Sequence, residues 1–347
     1  MINVCLFGVG RMGQDHAHHI QLNRNANLYC VVDPNIALTN TVAEKYGAKS
    51  YYTTVEALSD PKIDAVVIAS KTDTHADLIM AAARAGKPIF CEKPIDLSLE
   101  KIDECLAVVE ECGVSLLVGF NRRFDPSYQS LRKRVVEGDI GTIESLAITN
   151  RDATMPDLSF LKTSGGLFRD MMIHDFDMAR WILQEEAVEI YATGSCVIDK
   201  RLEEFGDLDT GMAILKMESG TLCHINTCRR CVYGYDQRIE AFGSLGLLRA
   251  NNLAPTTVEY ATSSGVSKDK PFPGFRQRFA KAYHKEIDHF LSDLVTGKYA
   301  PLVSPQDARQ AVVIAEAAQL SFEQGIPIQI PAPLAKTEVE PTAFVLN

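Results

Sequence analysis

No stretch of the chain is apolar for long enough to cross a bilayer. Nor is there an excess of positive charge, since the formal net charge is −10. Nucleic acids and anionic membrane surfaces are held through basic side chains, so neither is expected as a partner. No basic segment precedes the strand-like run Ile2–Phe7. No signal peptide is therefore expected, and the cytoplasm is the expected location. Biased tracts and internal repeats are missing too, and 46% hydrophobic with 23% charged residues is the composition of an ordinary globular chain. The nine cysteines are odd in number and scattered, which fits reduced core residues. Cys228–Cys231 forms a CxxC, but no second pair completes a zinc site. It follows a strand-like run instead of opening a helix, so neither metal nor redox work is expected of it.

What is present begins at once. The 347 residues suffice for two domains with cores of their own. Ile2–Phe7 leads into Gly8-Val9-Gly10-Arg11-Met12-Gly13, and a helix-like segment, Gln14–Asn23, follows. A second apolar run, Leu28–Val32, ends in Asp33, 20 positions after Gly13. A glycine fingerprint between strand and helix, with an acid at that distance, is what a dinucleotide needs. The glycines admit a tight turn and close approach of the pyrophosphate, the helix N-terminus stabilises phosphate charge, and the carboxylate accepts from ribose hydroxyls. Asp33 would repel a 2′-phosphate, so NAD is favoured over NADP. His16, His18 and His19 are read as helix-face residues without chemistry.

The alternation continues with a helix over Ala37–Tyr46, a strand over Ala65–Ala69 and a helix over Thr74–Ala85. Ile89–Cys91 is a strand, Leu99–Cys112 a helix and Ser115–Gly119 a strand. Such repeats predict a doubly wound parallel sheet with helices on both faces, and ligands at the carboxyl ends of its strands. Three groups then share one rim: Ser70-Lys71-Thr72 with His75, Glu92-Lys93-Pro94, and Asn121-Arg122-Arg123. The first also reads as a helix cap. Lys93 stands at a strand end before a proline, which holds its backbone away from the helical region and makes a cis bond possible.

After about Phe124 strand-like runs dominate: Ile143–Asn150, Val188–Val197, Thr210–Met217, Thr221–Thr227, Gln237–Phe242, Leu247–Ala250 and Thr257–Tyr260. Turns at Glu218-Ser219-Gly220 and Gly243–Gly246 predict hairpins, hence an α+β domain with a large open, mainly antiparallel sheet. Tyr128–Glu137 and Arg276–Val295 read as helices. Ser304-Pro305-Gln306-Asp307 reads as the capped start of another, ending near Glu323. The expected domains are 1–123, 124–330 and a C-terminal arm or disordered tail, 331–347.

Gly165–Trp181, GGLFRDMMIHDFDMARW, looks like a glycine loop entering a helix that is available to lie near the sheet edge. At 3.6 residues per turn Asp170, His174, Asp177 and Trp181 share a face. Three readings are open: a polar face that only makes hydrogen bonds, an acid/base site, or a metal site built from Asp170, His174 and Asp177.

GVGRMG, then EKP, then GG-x₃-D-x₃-H resembles the Gfo/Idh/MocA family of NAD(P)-dependent oxidoreductases. Gly119–Asp125, Asn150-Arg151-Asp152, Ser164–Arg180 and Tyr233–Arg238 are similar to the inositol 2-dehydrogenases within it. The resemblance implies an N-terminal Rossmann domain, a homotetramer, and NAD-dependent oxidation of myo-inositol at C2, or of another cyclic polyol or sugar. A non-catalytic NAD-binding regulator is the lesser alternative. By that resemblance His174 is the general base, Lys93 stabilises developing alkoxide charge, and Asp170 binds a neighbouring hydroxyl. Asn121, Arg122, Asp152 and Tyr235 contact substrate. Gly8, Gly10, Arg11, Met12, Gly13, Asp33, Ser70, Thr72, His75, Glu92 and Lys93 line the cofactor. No metal is implied, because Lys93 supplies the positive charge. Asp177 has no assigned role. Where these enzymes often carry a proline-rich turn after Arg-Asp, this chain has Ala153-Thr154-Met155-Pro156.

Overall fold

Six short strands open the chain: β1 (Ile2–Phe7), β2 (Ala26–Val32), β3 (Lys49–Tyr51), β4 (Ala65–Ile68), β5 (Ile89–Glu92) and β6 (Leu116–Gly119). In the computed structural model, which describes residues 1–333, they form one parallel sheet in the order β3-β2-β1-β4-β5-β6. β4 is buried along its whole length and β5 over Ile89–Cys91, as strands covered on both faces must be. The order reverses between β2 and β4 on either side of β1, so the crevice for a ligand opens beyond the end of β1.

The chain divides into two compact units. Met1–Phe124 is joined by Lys281–Arg309, while the second unit comprises Asp125–Ala280 and Gln310–Pro333. The expected single boundary at 123/124 therefore omits a returning segment. Its reason is visible in the helix Ala280–Thr296, where Ile287, Phe290, Leu291 and Leu294 are buried at helical spacing and the Phe290 ring lies 6.1 Å from that of Phe90 on β5. Further on, the Tyr299 hydroxyl donates to the Leu116 carbonyl at 2.6 Å.

The second unit holds a seven-stranded sheet. Its strands are β7 (Ile143–Arg151), β8 (Ala187–Ser195), β9 (Thr210–Met217), β10 (Leu222–Cys228), β11 (Asp236–Gly243), β12 (Gly246–Ala250) and a short β15 (Ile328–Gln329). A separate hairpin of β13 (Glu259–Thr262) and β14 (Gly265–Lys268) intervenes. The order is β12-β11-β7-β10-β9-β8-β15, antiparallel throughout except for the parallel pair β7 and β10. Burial alternates along β9, with Ala213, Leu215 and Met217 inside and Met212, Ile214 and Lys216 outside. The expected mainly antiparallel sheet is thus present, and its one parallel pair is β7 and β10, which no short turn can join.

Three further differences are local. Arg276–Val295 is two helices, Phe275–Arg278 and Ala280–Thr296. The Gly165–Trp181 segment lies on the middle of the sheet, not at its edge. A Cβ on Gly211 of β9 would come 2.7 Å from Leu167 and 3.2 Å from Met172, and Asn150 of β7 donates to the Met171 carbonyl. Finally, this segment enters its helix through a π turn, Phe168–Met172, before the α-helix Ile173–Leu183. Of the expected tail, residues 334–347 lie outside the described residues. No helix among the described residues is long and apolar enough to cross a membrane.

Candidate active site

In the first unit the candidate residues lie on the carboxyl rim of the parallel sheet. Gly8 has φ +87°, and a Cβ there would lie 2.6 Å from the Ser70 backbone, so the β1 and β4 ends can pass only over a glycine. A Cβ on Gly13 would sit 2.0 Å from the Gly8 carbonyl oxygen, which makes Gly13 the contact that seats the helix Arg11–Leu22 against the loop. Gly10 is different. It caps that helix with φ −65°, offers no side chain to the first N–H groups, and a Cβ there would meet nothing within 4 Å. The open space stands over a helix N-terminus that begins with Arg11 and Met12, where an anion is favoured.

Asp33, just past β2, accepts from the Val9 N–H at 3.0 Å through one oxygen and from the Asn35 N–H at 2.9 Å through the other. Each carboxylate oxygen has a second lone pair, so capacity for ribose hydroxyls remains. These features together fit a dinucleotide: a turn, a vacant approach, a helix N-terminus and an acid fixed beside the loop.

Along the rim, Ser70 and Thr74 share a hydroxyl hydrogen bond at 2.7 Å, and Thr72 is half-buried in the turn between them. His75 is buried, with Nδ1 2.8 Å from the Pro94 carbonyl and Nε2 3.2 Å from the Ser70 carbonyl. The ring therefore ties the β4 loop to the Lys93–Pro94 loop. Lys93 is half-buried at the end of β5, and its bond to Pro94 is cis. Glu92 turns inward, its Oε1 2.7 Å from Nε2 of the buried His16. Asn121, Arg122 and Arg123 follow β6 in a buried turn, and Arg123 is committed to the Leu302 carbonyl and to Asp307.

In the second unit the candidate residues gather at one end of the mixed sheet. Arg151 pairs across to Asp236 on one side and to Cys228 on the other. Asp152, Arg229 and Tyr235, each one residue beyond that rung, consequently share the sheet end. Asp236 is fully buried and accepts from Arg238, Tyr233 and Asn252. Burial pushes its carboxyl up, but these donors outweigh burial and hold it below the usual range. Tyr235 is buried edge-on to Phe279, with ring centres 6.1 Å apart.

Over this end runs the Phe168–Leu183 segment, interior on nearly every side. From Leu167 to Leu183 all residues are buried except Arg169, Asp170 and His174. Arg169 is engaged with Glu316. Asp177 and Trp181, expected on the reactive face, are buried. Asp175, which drew no attention in the sequence, is also buried and accepts from Asn150 at 2.7 Å.

Arg229 was missed as well. Its guanidinium is fully buried, 3.1 Å from Asp207 and 3.5 Å from Asp170, and Nε donates to the Leu208 carbonyl. Asp207 in turn accepts from the Leu167 N–H at 2.7 Å, just past the glycine pair. A buried cation thus fixes both the glycine turn and the Asp170 carboxylate. The only sequence signal was an arginine inside the dismissed CxxC. All nine cysteine thiols are free.

Residues 2–120 match the oxidoreductase family with an NAD-binding Rossmann fold, and residues 128–249 match the Gfo/Idh/MocA C-terminal domain. The chain belongs to the Gfo/Idh/MocA family and is an NAD-dependent oxidoreductase. Among its relatives, the inositol 2-dehydrogenase of Rhizobium meliloti (strain 1021) is 44% identical over 94% of this chain and 98% of that one. The scyllo-inositol 2-dehydrogenase (NAD(+)) of Bacillus subtilis (strain 168) is 36% identical over 97% and 98%. The crystal structure of a myo-inositol dehydrogenase from Corynebacterium glutamicum ATCC 13032 superposes with a TM-score of 0.91 at 37% identity, covering 96% of this chain and 99% of that one.

Proposed function

We propose that the protein oxidises myo-inositol at C2 to 2-keto-myo-inositol, passing the hydride to NAD. The observation that carries the reading is the Leu167–Leu183 segment: buried all along, it leaves accessible only a carboxylate held by Arg229, an imidazole, and an arginine paired to Glu316. NAD, when bound, supplies a hydride acceptor at the nicotinamide. The residues of this chain manage the proton and the substrate. His174 takes the hydroxyl proton, since imidazole titrates near neutral pH and can return it. Lys93 stabilises the developing alkoxide. Asp170, oriented by Arg229, binds a neighbouring hydroxyl. Asn121, Arg122, Asp152 and Tyr235 bind the remaining hydroxyls, and the rim at Arg11, Met12, Ser70, Thr72, His75 and Glu92 serves the cofactor.

A second reading keeps the chemistry and changes the isomer. The Bacillus subtilis relative named for scyllo-inositol and the Ala153-Thr154-Met155-Pro156 loop, which lacks the family's proline-rich turn, both favour weighing it. The test is NADH formation with myo-, scyllo- and D-chiro-inositol and glucose-type sugars side by side. Highest kcat/KM on myo-inositol with the 2-keto product supports the first reading, and preference for scyllo-inositol the second. Tight NAD binding without turnover on any cyclic polyol overturns both.

The outer face of the second sheet exposes Tyr191 on β8, Met212 and Ile214 on β9, and Phe242 on β11. A second copy of the chain covering that face, within a homotetramer, would shield it. Sedimentation as a monomer at micromolar concentration would contradict this.

A further inference from the structure

Three titratable side chains of the first unit meet in its interior beneath the glycine loop. His16 comes from the helix Arg11–Leu22, Glu92 from the end of β5, and Glu286 from the helix Ala280–Thr296. One polar atom from each lies within 4.8 Å of the others. His16 and Glu286 are 0% exposed. Glu92 Oε1 is 2.7 Å from His16 Nε2, and Oε2 faces Gly119 of β6, where a Cβ would come 3.3 Å from it. Neither oxygen of Glu286 has a hydrogen-bond partner. The surroundings are largely aromatic, with Phe90 5.2 Å and Tyr283 6.3 Å from His16, ring centre to ring centre.

Two ionised carboxylates cannot share such a place with one imidazole. The second charge would be buried without a donor, the arrangement proteins avoid by binding a proton. We propose that Glu286 is a positioning residue that stands as a neutral carboxylic acid, so that a single carboxylate, Glu92, stays fixed against His16 directly before Lys93. Burial and the neighbouring Glu92 both push the Glu286 carboxyl well above the usual range. The groups facing it are His16 from the first helix and Glu92 from β5, while Tyr283, one turn earlier on its own helix, lies against the His16 ring. His19, beside His16, brings no positive charge, because burial, then His16, His284 and His18, push it down to about 3. A charge on Glu286 would drive Glu92 off His16 and shift the strand end that carries Lys93. The catalytic consequence rests on the role proposed above for Lys93, whereas the protonation itself does not.

Glu286→Gln reproduces the neutral acid in shape and tests the proton directly. In the unfolded chain a glutamate titrates near about 4.3. Above that pH the unfolded wild type is ionised while the native state keeps its proton, so wild-type stability falls as pH rises until the raised native pKa is passed. Glutamine has no such loss. The Tm of Glu286→Gln relative to wild type should therefore climb with pH from about 4.3 upward. A difference that stays flat or falls with pH means an ionised Glu286 and overturns the proposal. So does a stoichiometric divalent cation, taken up by wild type in titrations with Mn²⁺ or Zn²⁺ and lost in the variant. In kinetics, Glu286→Gln should keep kcat within about threefold while Glu286→Ala lowers it by about tenfold or more at unchanged KM for NAD. Equal loss in both variants overturns the positioning role. If no substrate is turned over, the Tm series still decides the protonation.

Discussion

Asp33 is the residue on which cofactor choice should turn, and its two backbone bonds let the effect be sized. The carboxylate is already fixed by the Val9 and Asn35 N–H groups, so it is placed before ligand arrives. Hydrogen bonds from the ribose hydroxyls to a carboxylate are worth about 1.5–3 kcal/mol. With a tenfold change in affinity per about 1.4 kcal/mol, Asp33→Ser should weaken NAD by roughly 10- to 100-fold. The lower end is the better expectation, because Asp33 is only half-buried and water competes. The opposite change applies to NADP. A carboxylate about 4 Å from a phosphate charge is opposed by up to about 4 kcal/mol at an effective dielectric of 20, so removing it should improve NADP binding by about tenfold or more. Asp33→Asn serves as the control for loop geometry, since its amide oxygen still accepts one backbone N–H but carries no charge. The assay is fluorescence titration of NADH and NADPH together with kcat/KM for both oxidised cofactors. If the NAD/NADP ratio moves by less than about threefold while the protein remains folded, Asp33 is not the ribose ligand and the reasoning fails.

His174→Ala should lower kcat by about 10²-fold or more with NADH binding unchanged, and near-wild-type turnover would place the base elsewhere. The two glycines of the loop should separate folding from binding. Gly10→Ala, where a Cβ meets nothing and φ is ordinary, should leave Tm close to wild type yet weaken NAD, whereas Gly13→Ala, 2.0 Å from the Gly8 carbonyl, should lower both. Equal Tm losses would show that the space over Gly10 is not kept for a ligand. Asp236, whose carboxyl is held low, contributes stability that is present above the ordinary aspartate range and lost as pH falls through the native pKa. The Tm gap between wild type and Asp236→Asn should accordingly be full at neutral pH and close on acidification, and a gap independent of pH would contradict the ionised network.

Much of the first unit could be read from the chain because its signals are local. The strand, the glycine fingerprint and Asp33 each follow from neighbouring residues, and the helix Leu99–Cys112 runs between the bounds its Ser98 cap and Gly113 stop dictate. What escaped depends on residues far apart in sequence. β3 and β15, of three and two residues, exist only through their pairing partners. The parallel β7–β10 ladder joins residues 77 positions apart, such as Ser145 and Leu222. Arg229 acquires its meaning only once Asp170 and Asp207 are folded around it. Glu286 sits 194 positions from Glu92.

The helix that carries Asp170 and His174 shows how a motif read at uniform spacing can misplace its neighbours. Within DMMIHDFD, three carboxylates compete for the role of accessible acid, and a uniform 3.6-residue period nominates Asp170 and Asp177 together. The turn over Phe168–Met172 is instead a π turn, bonded i to i+5, which slips the phase just as Asp170 is passed. Asp170 and His174 keep their exposure, whereas Asp177, three residues after His174 on the same regular α-helix, is buried irrespective of that slip, and Asp175 is drawn to Asn150. A helix this buried tolerates an accessible polar pair only where something else fixes it, and here Arg229 does so from the sheet end. The irregular turn and the buried arginine are therefore one device: the first delivers Asp170 to the edge of the packed helix, and the second, 3.5 Å away, pairs with it there.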